Sequence, residues 1–96
     1  MTFKVIVSPL AQKNIEDSID YYAERSVDAP KKFLNDVNEA YRVLSISPYY
    51  KIIYNSFRAL PLKKFPFLLM YIINNENEVL IKACFHTSKS TKKYPR

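Results

Sequence analysis

The sequence contains no glycine, no tryptophan, one histidine and one cysteine. Phosphate-binding Walker loops and dinucleotide-binding fingerprints require glycines, so the missing glycine excludes both. A single histidine and a single cysteine do not supply the ligands of a conventional zinc site, and we expect neither a metal nor a cofactor. The lone Cys84 cannot form an internal disulfide, which favours a cytoplasmic protein. Its apolar neighbours predict a buried strand residue rather than a nucleophile.

Long apolar runs are also missing, since none approaches the roughly 18–20 residues that a membrane-spanning helix needs. Acidic residues are scarce in the second half of the chain. Residues 1–49 carry six Lys or Arg and seven Asp or Glu, whereas residues 50–96 carry nine Lys or Arg and only Glu76 and Glu78. A basic half on a small domain favours an anionic partner such as nucleic acid, the ribosome or an acidic protein segment. The alternative is a solvated lysine surface that only confers solubility.

What is present is the composition of one globular domain over residues 1–96, with 48% hydrophobic residues. The apolar period is near 3.6 in two early segments and near two elsewhere. Proline after Ser8 and after Ala29 marks two helix starts, and Ser47-Pro48 marks the second helix end. The pattern predicts a strand at 3–8, helices at 9–25 and 29–46, and strands at 52–54, 57–62, 66–73 and 79–85. We therefore expect an α+β fold of order β-α-α-β-β-β(-β), with the N-terminal strand and a helical hairpin packed on a mostly antiparallel sheet.

The residues that could carry chemistry form a basic set in the second half. Arg58 and His86 are expected on strands of one sheet, on the surface away from the helices. The remaining candidates are Lys63, Lys64, Lys89, Lys92, Lys93 and Tyr94. Such a set suits metal-independent RNA cleavage, with His or Lys as base, Arg neutralising the phosphate, and Tyr stacking on a base or protonating the leaving oxygen. It equally suits plain phosphate or carboxylate binding, and His86 can also be a structural residue at a strand end.

Several segments together resemble the RelE/ParE superfamily of toxins. Ser8-Pro9 precedes a helix carrying Ile15, Ile19 and Tyr22, as at the opening of these proteins. Phe57-Arg58-Ala59-Leu60, Lys64-Phe65-Pro66-Phe67 and Met70-Tyr71-Ile72 are similar to the arginine, the Phe-Pro-aromatic step and the strand tyrosine of the superfamily sheet. The ending Ala83-Cys84-Phe85-His86-Thr87-Ser88-Lys89 resembles ParE-like, or plasmid-stabilisation-type, members. The order and spacing of these segments cover nearly the whole chain.

The resemblance implies the toxin of a type II toxin–antitoxin module, which arrests growth when freed from a cognate antitoxin. RelE-like members cut mRNA on the ribosome with basic residues of the sheet, whereas ParE-like members poison DNA gyrase. The ending at His86 and Lys89 favours the ParE-like branch, with an mRNA endoribonuclease as the alternative. A non-toxic homologue that only binds an antitoxin is a further alternative. The sequence does not indicate an oligomeric state.

The resemblance also assigns candidate residues. Arg58 matches the superfamily arginine, and with His86 it is the catalytic candidate if the protein is a nuclease. The paired basic residues that RelE-like enzymes place before the arginine are represented here mainly by Lys51, and Tyr94 is a loose counterpart of their C-terminal tyrosine. Strand alternation places Arg58 on the same face as Leu60 and Leu62. A guanidinium held for phosphate or an acidic partner is one interpretation, and an ion pair with a helix acid such as Glu39 is the structural alternative.

Overall fold

The computed structural model describes residues 2–87 as one strand, two helices and four further strands. The elements are β1 (Lys4–Val7), α1 (Pro9–Ala23), α2 (Ala29–Ile46), β2 (Ile52–Tyr54), β3 (Phe57–Pro61), β4 (Phe67–Ile73) and β5 (Glu78–His86). The predicted α+β class and element order are confirmed. Within the described residues, no helix is both long and apolar enough to cross a bilayer.

Both helices begin where proline follows a capping segment. The Ser8 hydroxyl accepts a hydrogen bond from the Ala11 amide at 3.1 Å and caps α1 as expected. At α2 the Asp28 side chain makes no capping bond. Instead, the Ser26 hydroxyl accepts hydrogen bonds from the Asp28 and Ala29 amides. The Ser26 side chain, two residues before Asp28, therefore supplies the hydrogen-bond acceptor at the start of α2.

The five strands form one sheet in the order β1-β5-β4-β3-β2. The first pair, β1 with β5, is parallel, and the other three pairs are antiparallel. The longest apolar run, β4, lies at the centre, as its nearly continuous hydrophobicity predicts. The two edges of the sheet are β1 and β2, and the short β2 lies farthest from the N-terminal strand.

A bulge in β5 connects the sheet to α1. Tyr71 pairs with Ile81 and Met70 pairs with Ala83, which leaves Lys82 as an extra residue on β5. The carbonyl oxygen of Lys82 accepts a hydrogen bond from the Ser8 hydroxyl at 3.2 Å. The bulge therefore presents a backbone acceptor to the residue that caps α1.

Two asparagines take the left-handed conformations that glycine usually supplies. Asn55 in the β2–β3 turn has φ 50°, and Asn77 before β5 has φ 59°. Asparagine tolerates this region better than most residues, and this chain has no glycine. The polar turn predicted at 74–77 is confirmed, and the Asn74 side-chain oxygen accepts hydrogen bonds from the Glu76 and Glu78 amides.

The helices cover one face of the sheet and create a single core there. Its centre is aromatic, because Phe33 of α2 contacts both Phe65 and Phe67, and Tyr22 of α1 contacts all three rings. Aliphatic residues surround these rings: Ile15, Val37, Leu44, Leu62, Leu69, Val79 and Ile81. Burial of apolar surface between helices and sheet is the main stabilising force of the fold.

Candidate functional site

Arg58 lies on the helix-facing side of the sheet. It pairs with Tyr71 of β4, while Leu60 pairs with Leu69, and both β4 residues belong to the core. Opposed residues of adjacent strands project to the same face. The expectation that Arg58 faces away from the helices is therefore wrong, whereas its shared face with Leu60 is confirmed. The strand β3 is next to the edge strand β2, and the long Arg58 side chain is half-buried there.

The Arg58 side chain reaches the segment that follows α2. Its Nη1 atom donates a hydrogen bond to the Tyr50 carbonyl oxygen at 2.6 Å, and its Cζ atom lies 5.6 Å from the centroid of the Tyr49 ring. Glu39 instead pairs with Arg42 on its own helix. The expected ion pair between Arg58 and Glu39 is thus wrong, because the i,i+3 arginine is a nearer partner. Arg58 connects β3 to the link between α2 and β2.

Tyr71 of β4 also contacts the link between α2 and β2. Its hydroxyl donates a hydrogen bond to the buried Pro48 carbonyl oxygen at 2.7 Å. Burial raises the pKa of Tyr71 to about 12, although a backbone contact with Tyr50 and the positive charge of Arg58 act in the opposite direction. The phenol therefore stays protonated and keeps donating at physiological pH. Tyr71 is a positioning residue for the Pro48–Tyr50 segment.

His86 lies at the other end of the sheet. It pairs with Phe67 at the start of β4, and the two rings meet edge to face with centroids 5.1 Å apart. The next amide, of Thr87, donates to the Pro66 carbonyl oxygen at 2.7 Å. Because Phe67 belongs to the core, His86 also shares the helix-facing side. Its expected location on the opposite face is wrong, and the imidazole packs at the margin of the aromatic core.

The structure does not bring Arg58 and His86 together. Their register partners on β4, Tyr71 and Phe67, are four residues apart. Four residues of strand span about 13 Å, and two strand spacings add about 9.6 Å across the sheet, so the two Cα atoms are about 16 Å apart. The Arg58 side chain extends toward Tyr50. The two residues are on one sheet, as predicted, but they do not converge on a common point.

The candidate lysines of the described residues lie in two segments. Lys51 is exposed directly before β2, whose Ile52 pairs with Arg58. Lys63 and Lys64 are exposed in the turn before β4. The candidates Lys89, Lys92, Lys93 and Tyr94 lie outside the described residues. In the part of the chain that the structure describes, the basic residues that the sequence suggested as one site are therefore spread along the sheet.

Asp36 stabilises the turn that contains Lys63 and Lys64, and it was not among the site residues predicted from the sequence. It is buried in α2, and its carboxylate accepts hydrogen bonds from the Lys64 amide at 2.8 Å and the Phe65 amide at 3.1 Å. The available signal was an acid on the apolar stripe of the helix, between Phe33 and Ala40 at helical spacing. A buried carboxylate needs such donors, so its presence on that stripe predicts a structural partner.

The buried thiol of Cys84 has no feature of a nucleophile. Burial raises the pKa of Cys84 to about 12, which keeps the thiol protonated. Its backbone amide donates to the Asn14 side-chain oxygen at 3.0 Å and joins β5 to α1. These contacts agree with the structural role predicted for it.

A shallow groove runs between α2 and β3 beside the Arg58 region. Apolar groups form most of its lining, including Val43 of α2 and Leu60 of β3, and Tyr50 extends the lining toward β2. Glu39 and Lys63 line the same groove. Residues 2–87 contain no group of three or more His, Cys, Asp or Glu side chains arranged for a metal ion.

Comparisons with known proteins point in one direction. The family model described as "ParE toxin of type II toxin-antitoxin system, parDE" matches residues 5–91. A solved structure titled "Chromosomal ParDE TA system from P. aeruginosa" contains a chain similar to this one, with a TM-score of 0.73 and 18% sequence identity. The match covers 88% of this chain and 95% of that chain. The search of curated proteins finds no match.

Proposed function

Because this chain belongs to the ParE toxin family of type II toxin–antitoxin systems, we propose that it arrests bacterial growth when freed from its antitoxin and that its target is DNA gyrase. Membership in this family implies a protein antitoxin as partner. The strongly basic second half of the sequence, with nine Lys or Arg against two acids, suits an acidic antitoxin segment. The choice of gyrase over mRNA rests on the geometry of the sheet.

The separation of Arg58 and His86 is the observation that supports the gyrase branch. Metal-independent RNA cleavage requires a base and a phosphate-neutralising group, each within about 3 Å of the reacting atoms. Here the register of the sheet places the Cα atoms of the two candidates about 16 Å apart. The Arg58 guanidinium also donates to Tyr50. This arrangement favours a toxin that acts by binding a protein target.

A ribosome-dependent endoribonuclease is the second candidate. One observation favours it: the turn that contains Lys64 meets the end of β5 next to His86, since the Thr87 amide donates to the Pro66 carbonyl oxygen. In that case a lysine rather than Arg58 would neutralise the phosphate. Codon-phased cleavage of mRNA on programmed ribosomes that is lost in His86→Ala would replace the gyrase proposal with this one.

Induced expression in a bacterial host tests the toxin role itself. We expect growth arrest from the chain alone and normal growth when the neighbouring reading frame is co-expressed as the antitoxin. Arg42→Ala is a suitable control, because this exposed residue pairs with Glu39 on its own helix and should leave growth arrest unchanged. Normal growth with folded protein, together with no complex with the neighbouring product, would contradict the proposal. Normal growth with such a complex would indicate a non-toxic antitoxin-binding homologue.

A further inference from the structure

The sheet has a second face, which neither helix of residues 2–87 covers. Paired residues of adjacent strands project to a common face. Three pairs between β4 and β5 lie outside the helix-side core: Leu68 with Phe85, Met70 with Ala83, and Ile72 with Leu80. All six side chains are apolar, so β4 and most of β5 are apolar on both faces. Strands with that pattern are usually buried on both faces.

Met70, at the centre of this helix-free face, is almost completely buried. Only 2% of its surface is exposed, and its partner Ala83 is 5% exposed. The residues beside Met70 on the adjacent strands are both alanines, Ala59 of β3 and Ala83 of β5. Leu68 and Ile72 lie about 6.6 Å to either side along β4 and flank the methionine rather than cover it. Because side chains stand upright on a sheet, a further group must lie over the Met70 thioether.

The chain that follows β5 can supply this group. The strand ends at His86, and nine residues follow Thr87 in the sequence. His86 pairs with Phe67, which lies three residues, or about 10 Å, along β4 from Met70. A layer packed on a sheet lies about 10 Å above it. The seven residues from 87 to 94 span up to about 23 Å, so position 94 can reach the space above Met70.

Other occupants of the helix-free face are less suitable. The N-terminus cannot reach Met70, because β1 is parallel to β5 with Lys4 beside Glu78, about 16 Å of strand before Ala83. The three residues that precede Lys4 span only about 10 Å. A second copy of the chain is disfavoured, because each copy carries a net charge of +6 and the two copies would repel each other.

The composition of residues 88–96 suits an apolar surface. Tyr94 is the one aromatic residue of these nine, and the others are lysine, arginine, serine, threonine and proline. An aromatic ring makes a favourable contact with a thioether sulfur. The ring of a tyrosine can lie on apolar groups while its hydroxyl stays in water. Lysine stems can likewise lie along an apolar surface while the ammonium groups remain hydrated.

We propose that the helix-free face of the sheet is an intramolecular binding site for residues 88–96. The ring of Tyr94 lies over Met70, in the trough that the two small neighbours Ala59 and Ala83 leave open. The lysines of the segment then lie on the face opposite Arg58 and His86, where they form a separate basic surface. This inference does not depend on the toxin role, and its failure would leave that role unaffected.

A tryptophan at position 94 tests the contact directly, because the chain contains no other tryptophan. In Tyr94→Trp the indole should lie on Met70, shielded from solvent. The matched control is Tyr49→Trp, since the Tyr49 side chain is 65% exposed. We expect acrylamide to quench the fluorescence of Tyr94→Trp at least about threefold less than that of the control. Equal quenching in the two folded variants overturns the site.

Oxidation of Met70 supplies a second measurement. Hydrogen peroxide converts an accessible thioether to the sulfoxide, which mass spectrometry of the Met70 peptide detects. Tyr94→Ser should raise the oxidation rate at least about tenfold, because it removes the ring that covers the sulfur. Tyr94→Phe keeps the ring, and Tyr49→Ser changes a distant tyrosine, so both should oxidise within about twofold of the parent rate.

The variants at position 94 separate loss of the cover from a general loss of structure. Fast oxidation in Tyr94→Ser with slow oxidation in Tyr94→Phe supports the site. An unchanged rate in Tyr94→Ser overturns it, because Met70 is then shielded by something else. Fast oxidation in Tyr94→Phe also overturns it, because the ring alone should suffice. Protection of Met70 that disappears on dilution would identify a second copy as the cover and would reject the intramolecular contact.

Discussion

The Arg58 guanidinium donates a hydrogen bond to the Tyr50 carbonyl oxygen across 2.6 Å and joins β3 to the segment that enters β2. We expect Arg58→Ala to lower the free energy of unfolding by about 1 kcal/mol, because one charge-assisted hydrogen bond is lost. Arg58→Lys should lose less, since an ammonium can still donate to one carbonyl. Thermal unfolding measures both, and about 1 kcal/mol corresponds to roughly 4–8 °C in a domain of this size.

Arg25 provides the matched control for that pair of variants. Its Nη1 atom donates to the Tyr21 carbonyl oxygen at 2.9 Å, and its Cζ atom lies 3.7 Å from the Tyr21 ring centroid. The contact is local, between a residue just after α1 and the last turn of that helix, so Arg25→Ala should change the free energy of unfolding by less than about 0.5 kcal/mol. An effect of Arg58→Ala no larger than that of Arg25→Ala would show that Arg58 does not support the link.

Asp36 should be more important for stability than its position on a helix suggests. Asp36→Ala leaves the Lys64 and Phe65 amides without their acceptor, and we expect a loss of about 2–3 kcal/mol. Asp17→Ala removes an exposed i,i+4 partner of Lys13 and should change stability by less than about 0.5 kcal/mol. Urea unfolding of both variants gives the comparison. Equal midpoints for the two would contradict the role assigned to Asp36.

The two left-handed asparagines are sites where glycine should be favourable. Asn55→Gly and Asn77→Gly relieve the positive φ angles and should be neutral or stabilising, whereas alanine should cost about 1 kcal/mol at either position. Asn38 in the exposed part of α2 should respond in the opposite sense, with alanine better than glycine by about 1 kcal/mol. Chemical unfolding of the six variants measures this reversal. The same preference at all three positions would refute it.

Stability should fall at alkaline pH because burial raises the pKa of several weak acids. The pKa of Cys84 rises from 9.0 to about 12, and those of Tyr41 and Tyr71 rise from 10.0 to about 12. Between pH 9 and 12 the unfolded chain releases these protons first, so the free energy of unfolding decreases as pH rises. Cys84→Ala should flatten the decrease most between pH 8 and 9, where the thiol contributes more than the tyrosines. Urea midpoints across pH 8–11 test this, and a flat profile in the parent would contradict it.

Much of the fold was predictable because it depends on local signals. Ser8-Pro9, the apolar stripes and the run 66–73 set the helices and the central strand, and these patterns are readable without tertiary information. The parallel pairing of β1 with β5 was not predicted, since it joins residues more than 70 positions apart. The bulge at Lys82 was also missed because it depends on the register between β4 and β5.

The candidate site was predicted as a set of residues but not as an arrangement. Arg58 and His86 share a sheet as expected, yet which face a strand residue occupies depends on register. Their pairing with Tyr71 and Phe67 places both on the helix-facing side, four residues apart along β4. Asp36 could have been found from its place on an apolar stripe. A functional role for Arg58 stays a prediction.

Inhibition of DNA supercoiling by purified gyrase tests the central claim most directly. The account predicts that the purified chain inhibits supercoiling and that a stoichiometric amount of the neighbouring gene product restores it. If the chain arrests growth in cells but an excess of the folded, purified chain leaves supercoiling unchanged, the account is contradicted.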